Sequence, residues 1–407
     1  MNNKLTDKFN NVLFNIIPII LFFSYFLSII GIKLTILISI NFLIILIYII
    51  FISKIYFNKI VILFFLFMIW ASILYFINDS IESIIKTNTF FCIVAAALMM
   101  LSIYYYSLLE GIKNFNYYIY LFIILSFIIA FLEINYSLIL PSSGKYIDEE
   151  YARRFFKVPT SIFYNPNDFA TVIGILFIYT YSYCLFLKRK IRYIILLFCL
   201  YIILFTGSRG VQLIVLLFPL LYSIMKGKSI FKIIILYILI IIILYIFIKL
   251  NQIPYVFKKY LDTFNALNSG QIDNSSLLRL EIIIYTLKNL NKLIIGYGPG
   301  GSSLFLNNFS IINPHNFFIE ILIDYGFIGL FLSVTIFIMS FKKNLYILRN
   351  TDNIEIIASC KATIILMFFF ILFSVVPSSL FLYWPFAWFP IYLTMINLGN
   401  YKKLLNN

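Results

Sequence analysis

Histidine occurs once in this 407-residue chain, at His315, and only 12% of the residues are charged. One histidine leaves no His-rich metal site to build. The four cysteines (Cys92, Cys184, Cys199, Cys360) are scattered through apolar runs without metal-ligand spacing. They read as small core hydrophobes, and no metal or cofactor is expected. A charge content near half that of an ordinary soluble domain excludes a soluble globular class. Acids are scarcer than bases, 16 against 31.

What the chain has instead is apolar length. Hydrophobic residues make up 63% and aromatics 20%; the mean hydropathy is +1.01. Apolar runs of about 17–25 residues recur from end to end, the length that crosses a bilayer as a helix. The pattern predicts an all-α polytopic integral membrane protein, a single membrane domain over residues 1–407. About twelve transmembrane helices are expected, near 12–30, 34–52, 60–77, 88–108, 118–140, 166–187, 191–206, 211–225, 230–250, 315–341, 356–376 and 379–398. Met1 to Asn11 is polar and makes no cleavable signal.

The basic residues set the orientation. Lys188, Arg189, Lys190 and Arg192, and then Lys226, Lys228 and Lys232, crowd two short connections on one side. Short loops rich in Lys and Arg stay cytoplasmic, so both termini are expected inside. The net charge of +15 is then a topology signal, and no nucleic acid is implied. Two outer segments exceed simple turns: a first outer loop at 141–165 and a large extracytoplasmic loop at 251–314. Long loops of this kind carry function. No internal repeat marks the inverted halves of a transporter.

Four outer segments hold the residues able to do chemistry. The first opens the tenth span: Asn313-Pro314-His315-Asn316-Phe317-Phe318-Ile319-Glu320, continuing through Asp324, Gly326 and Gly329. Asn313 is placed to cap this helix and Pro314 to occupy its first turn. Asn316, Glu320 and Asp324 fall on one face, with Asp324 about 13 Å below the first turn. Ionisable groups inside a span are costly and mark binding or reaction. The structural alternative is an interfacial histidine with hydrogen bonds that lock the bundle. Gly326 and Gly329 suit close packing by a neighbouring helix.

The second segment is a helix over Leu277 to Leu293 with Arg279 near its start, followed by Gly296-Tyr297-Gly298-Pro299-Gly300-Gly301. Backbone amides at Gly298 and Gly300 could approach a phosphate, although no Gly-Lys-Ser/Thr follows the run. The alternative there is a flexible turn. The third is Gly207-Ser208-Arg209-Gly210, whose arginine either snorkels to lipid phosphate or grips a ligand phosphate with its forked donors. The fourth runs from Arg153-Arg154 to Asn165-Pro166-Asn167-Asp168, where Asn-Pro-Asn fixes a helix entry. Together these residues call for an anionic, phosphate-bearing ligand at the outer leaflet, which a pyrophosphate-linked lipid fits.

Asn165-Pro166-Asn167 at a span start, Ser208-Arg209-Gly210 after a span, Arg279 before Gly296-Tyr297-Gly298-Pro299-Gly300, and His315-Asn316 with Glu320, Gly326 and Gly329 resemble the O-antigen ligase / O-antigen polymerase (Wzy) superfamily. The resemblance covers roughly residues 150–335. It implies a metal-independent inverting glycosyltransferase without cofactors, at the outer face of a bacterial cytoplasmic membrane. The implied donor is a glycan on undecaprenyl pyrophosphate; the acceptor is a second lipid-linked repeat unit (polymerase) or a lipid A–core sugar or other surface acceptor (ligase). A flippase and a chain-length regulator are the implied partners. Carried over by position, Arg209 and Arg279 match the pyrophosphate-binding arginines, and His315 matches the histidine that activates the acceptor hydroxyl. Glu320 would orient His315 or the acceptor. Arg154 is a partial match, because the glycine that usually follows in the family is missing here. Asn316 and Asp324 join the substrate-binding set as members of the polar stripe. A lipid-oligosaccharide flippase and a purely structural membrane subunit are the alternatives outside enzymology.

Overall fold

Apolar runs this long must satisfy their backbone polar groups internally, and helices do so. The computed structural model describes residues 17–22, 58–78, 83–140, 155–225, 238, 274–309, 313–377, 379 and 384–406. Among them there is no strand. The helices are α1 (Lys59–Ile77), α2 (Ser83–Leu109), α3 (Ile112–Tyr136), α4 (Pro166–Phe186), α5 (Arg192–Thr206) and α6 (Arg209–Met225), then α7 (Asn274–Lys288), α8 (Ser302–Phe305), α9 (Phe317–Arg349), α10 (Ile354–Phe373), α11 (Trp384–Ala387) and α12 (Phe389–Asn406).

Six described helices are long and apolar enough to cross a membrane: α1, α2, α3, α4, α9 and α10. The apolar helices α5 and α6 are shorter. The expected spans at 34–52 and most of those at 12–30 and 230–250 lie outside the described residues, so the count of twelve is not established. The last expected span, 379–398, is displaced. Its helix begins only at Phe389 and continues to Asn406, because Pro385 and Pro390 break the run into the short α11 and the longer α12. Lys402 remains inside α12 by donating to the Tyr104 hydroxyl at 2.7 Å.

Asparagine starts these helices. Asn58, Asn165, Asn316 and Asn353 each accept backbone N–H groups from the first turn of α1, α4, α9 and α10. A helix N-terminus has orphan donors, and in a lipid setting a side-chain oxygen is the cheapest way to satisfy them. For α9 this corrects the expected cap. Asn316, not Asn313, caps the helix, and Pro314 and His315 precede it.

The core is aromatic. Trp388 meets Phe64 at 4.7 Å, Phe317 at 5.5 Å and Phe67 at 5.8 Å between ring centroids, joining α1, α9 and the α11–α12 turn. The connections then sort to two ends. One holds the starts of α2, α4, α6 and α9 and the finish of α10; the other holds the Arg189–Glu355 ion pair at 3.1 Å and the basic run Lys188 to Arg192.

The approach to α4 is tied down by a buried acid. Glu133, near the end of α3, accepts from Thr160 N at 3.0 Å, Thr160 Oγ1 at 3.0 Å and Ser161 N at 2.7 Å. Glu133→Gln puts an amide N–H₂ against donors that need an acceptor. It should cost about 2 kcal/mol, seen as a lower thermal unfolding midpoint of the detergent-solubilised protein.

Candidate active site

Gly207, in the left-handed region at φ 66°, ends α5 and allows the chain to reverse into Ser208 and the first turn of α6 at Arg209. Gly210 lies against the end of α10. A Cβ there would come within 3.0 Å of Val376. The Ser208-Arg209-Gly210 corner is therefore held beside the turn that follows α10.

That turn, Ser374 to Pro377 with Ser379 beyond it, is where the site is assembled. The Ser374 carbonyl accepts from Phe317 N at 3.0 Å. The Pro377 carbonyl meets His315 Nδ1 at 3.1 Å. Ser379 Oγ donates to Glu320 Oε1 at 2.5 Å. Three groups of one turn thus hold the start of α9, its histidine and its first-turn acid. Sequence reasoning missed this turn. The signal available was Pro377 and its flanking serines after an apolar run, which read as a plain loop between spans.

His315 adopts φ 52°, a backbone rarely taken by a residue with a side chain. Strain of this kind persists where the surroundings enforce it. A carbonyl can only accept, so Nδ1 carries the proton and the neutral ring keeps its lone pair on Nε2. Burial pushes the imidazole pKa down to about 4, and the Arg279 cation pushes the same way, against the Pro377 and Val376 backbone groups that favour the charged ring. The neutral, proton-accepting form therefore holds across the physiological range. The charge of Arg279, on α7, is felt at His315.

The sign of the pH dependence follows. A base whose pKa is depressed works above that value. The acid limb of kcat/KM should stay flat through pH 6.5 and fall only as pH approaches about 4. Over the same interval the unfolded chain, with an ordinary histidine, binds more protons than the native one. Stability should therefore rise with pH from about 4 to about 6.5. A kcat/KM titration of the purified protein checks the first, and an inflection near 6.5 would contradict it.

Asp324 is fully buried and faces the glycine-rich run. Its carboxylate accepts from Gly300 N at 3.0 Å and Ser302 N at 2.7 Å. Gly298 N goes to the Asp324 carbonyl at 2.7 Å, Tyr297 N to the Ile323 carbonyl at 2.9 Å, and Gly301 N to the Gly298 carbonyl at 2.9 Å. The amides that sequence reasoning offered to a phosphate at Gly298 and Gly300 are thus committed inside the protein. The loop is a built wall, and Asp324 is the residue that builds it.

The wall exists because α9 is broken. Gly326 has φ 66° and ψ −166°, a combination open in practice only to glycine. The break strips the preceding carbonyls of their helical partners. Ile323 and Asp324 find Tyr297 N and Gly298 N, and Tyr325 finds the Trp70 indole N–H at 2.8 Å. Phe327 N returns to the Ile294 carbonyl at 3.2 Å. The unbroken helix expected at 315–341 is corrected accordingly. Gly329 does pack closely, with a neighbouring ring at Phe67.

Asn316 spends its side chain on Phe318 N and Ile319 N. Asn165 likewise caps α4 through Asp168 N at 3.0 Å. Arg153 and Arg154 lie outside the described residues. Among the described residues, no three His, Cys, Asp or Glu side chains converge.

Residues 194–334 match the family model described as Wzy_C, O-Antigen ligase. Through that segment the chain is similar to the O-antigen ligase family. The matched stretch takes in Arg209, Arg279, the glycine wall, His315, Glu320 and Asp324; Pro377 and Ser379 lie beyond it. No curated protein matches the chain. That similarity supports a membrane enzyme that processes glycans, acting on lipid-linked glycan substrates and a lipid acceptor. It also agrees with a bacterial inner-membrane location.

Proposed function

We propose that this protein polymerises undecaprenyl-pyrophosphate-linked oligosaccharide repeat units of an O-antigen or capsule type, by inverting glycosyl transfer at the outer face of the cytoplasmic membrane. The observation that carries the reading is a neutral His315, its Nδ1 held on the Pro377 carbonyl so that Nε2 is left as the acceptor. Nε2 takes the proton of an acceptor sugar hydroxyl as that oxygen attacks the anomeric carbon. Arg279 and Arg209, joined by Arg154 from the first outer loop, neutralise the charge that grows on the departing pyrophosphate. Glu320 orients the acceptor, and Ser379 holds Glu320. Asn316 presents the first turn of α9 to the substrate. Gly298, Gly300 and Asp324 shape the wall beside it and do not grip phosphate. No metal takes part in this mechanism. The bundle has twelve spans with both ends cytoplasmic, and a flippase delivers the lipid-linked unit while a chain-length regulator sets the stop.

Ligation is the second reading, favoured by the description of the matched family. There the same base and arginines pass a finished glycan to lipid A–core or another surface acceptor. A gel of surface polysaccharide and of lipid-linked glycans from a strain lacking the gene separates the two. Polymerase function is expected to leave surface acceptors carrying one repeat unit and no ladder. Bare acceptors with long glycan accumulating on the polyprenol carrier would make the protein a ligase.

A further inference from the structure

Helix α7 has three distinct sides. Ile282 and Thr286 are buried, and Arg279 lies on their side of the helix. Ile282 joins Leu293, Phe305, Leu306, Leu322 and Ile323 in a small core that fastens the helix to the first half of α9. Tyr285 packs on Phe305 and Phe309 at 5.1 and 5.2 Å. The side opposite Ile282 is apolar and open: Leu280 is 53% exposed, Ile284 43% and Leu287 59%. Positions i, i+4 and i+7 form one stripe. Ile294 and Ile295, 60% and 58% exposed, extend it.

A water-facing loop helix has no reason to expose such a stripe, which normally marks a surface that something apolar covers. What covers it follows from continuity. The Ile294 carbonyl is bonded to Phe327 N, so the stripe runs into Phe327, Ile328 and the 70% exposed Phe331 on a membrane-spanning helix. An open apolar face on a helix of that length suits lipid. Charged residues flank the stripe, with Lys288 and Lys292 exposed at its far end and Glu281 exposed along one edge. An apolar stripe bordered by lysines suits the layer between acyl chains and headgroups.

We infer that α7 is an interfacial helix, lying in the leaflet at the His315 end with Leu280, Ile284 and Leu287 among acyl chains and Lys288 and Lys292 at lipid phosphates. On the proposed function, Arg279 then stands at headgroup depth, and a phosphate-bearing lipid reaches it sideways from the leaflet.

Spin labels on the full chain in a lipid bilayer test the placement. The native cysteines Cys92, Cys184, Cys199 and Cys360 are all buried, so an introduced surface cysteine takes the label. Ile284→Cys is compared with Phe331→Cys as the lipid reference and Asp352→Cys as the water reference. The inference expects the label at 284 to meet dissolved oxygen several-fold more readily than a water-soluble nickel chelate, as at 331. A label at 284 that favours the chelate, as at 352, would overturn it. So would a label shielded from both, which would mean that a protein covers the stripe. The readout is independent of activity, so it fails separately from the catalytic reading.

Discussion

Replacing His315 with alanine should lower glycan transfer by about 10²- to 10⁴-fold, the span over which a positioned general base acts. Protein abundance should stay near normal. The ring is partly buried and gives up only its contacts with the Pro377 and Val376 backbone. Alanine does carry one complication: at φ 52° it is tolerated less well than histidine, which is enriched in left-handed backbone. His315→Asn avoids much of that cost, since asparagine takes this backbone readily, yet it cannot accept a proton. Both variants should therefore lose transfer alike, by lipid-linked glycan turnover in membranes, with equal amounts of protein on a blot. An active Asn variant would remove His315 from the chemistry and leave it a shape role.

The second large effect lies at Gly326. A Cβ there would fall 2.4 Å from the carbonyl carbon and oxygen of Ile295, and backbone cannot move aside as a flexible side chain does. The φ and ψ values add a further strain of about 1–3 kcal/mol for any residue but glycine. Gly326→Ala should thus separate the 294–298 segment from α9, release the Asp324 wall and abolish activity, with a loss of about 3 kcal/mol or more. The comparison is Gly111→Ala, where the nearest atom to a new Cβ is 4.0 Å away. Thermal unfolding should separate the two variants clearly.

Hydropathy made the apolar helices legible, because a bilayer imposes length and composition directly. Asn165-Pro166-Asn167 was readable for the same kind of reason: a capping oxygen and a proline at the first turn act through neighbours in sequence. The start of α9 was misread because Asn313 and Asn316 both offer a cap, and nothing local says that His315 sits left-handed between them. Helical spacing puts Asn316, Glu320 and Asp324 on one polar face. Its members proved to serve three different partners, a helix terminus, Ser379 and the glycine loop, of which the last two are remote in sequence. Gly326 was opaque for a related reason. In an apolar run a glycine looks like a packing contact, and the break becomes visible only when Tyr297, Gly298 and Trp70 arrive to take the freed carbonyls.

The Pro377 carbonyl lies outside the stretch that defines the family match, yet it dictates which nitrogen of His315 is basic. Exchanging residues 194–334 between relatives would transplant the histidine and both described arginines into a foreign turn. Such a chimera would keep every recognisable motif and still lose its proton acceptor, unless the receiving chain aims a carbonyl at the same ring nitrogen. The unit of inheritance for this chemistry is therefore larger than its signature.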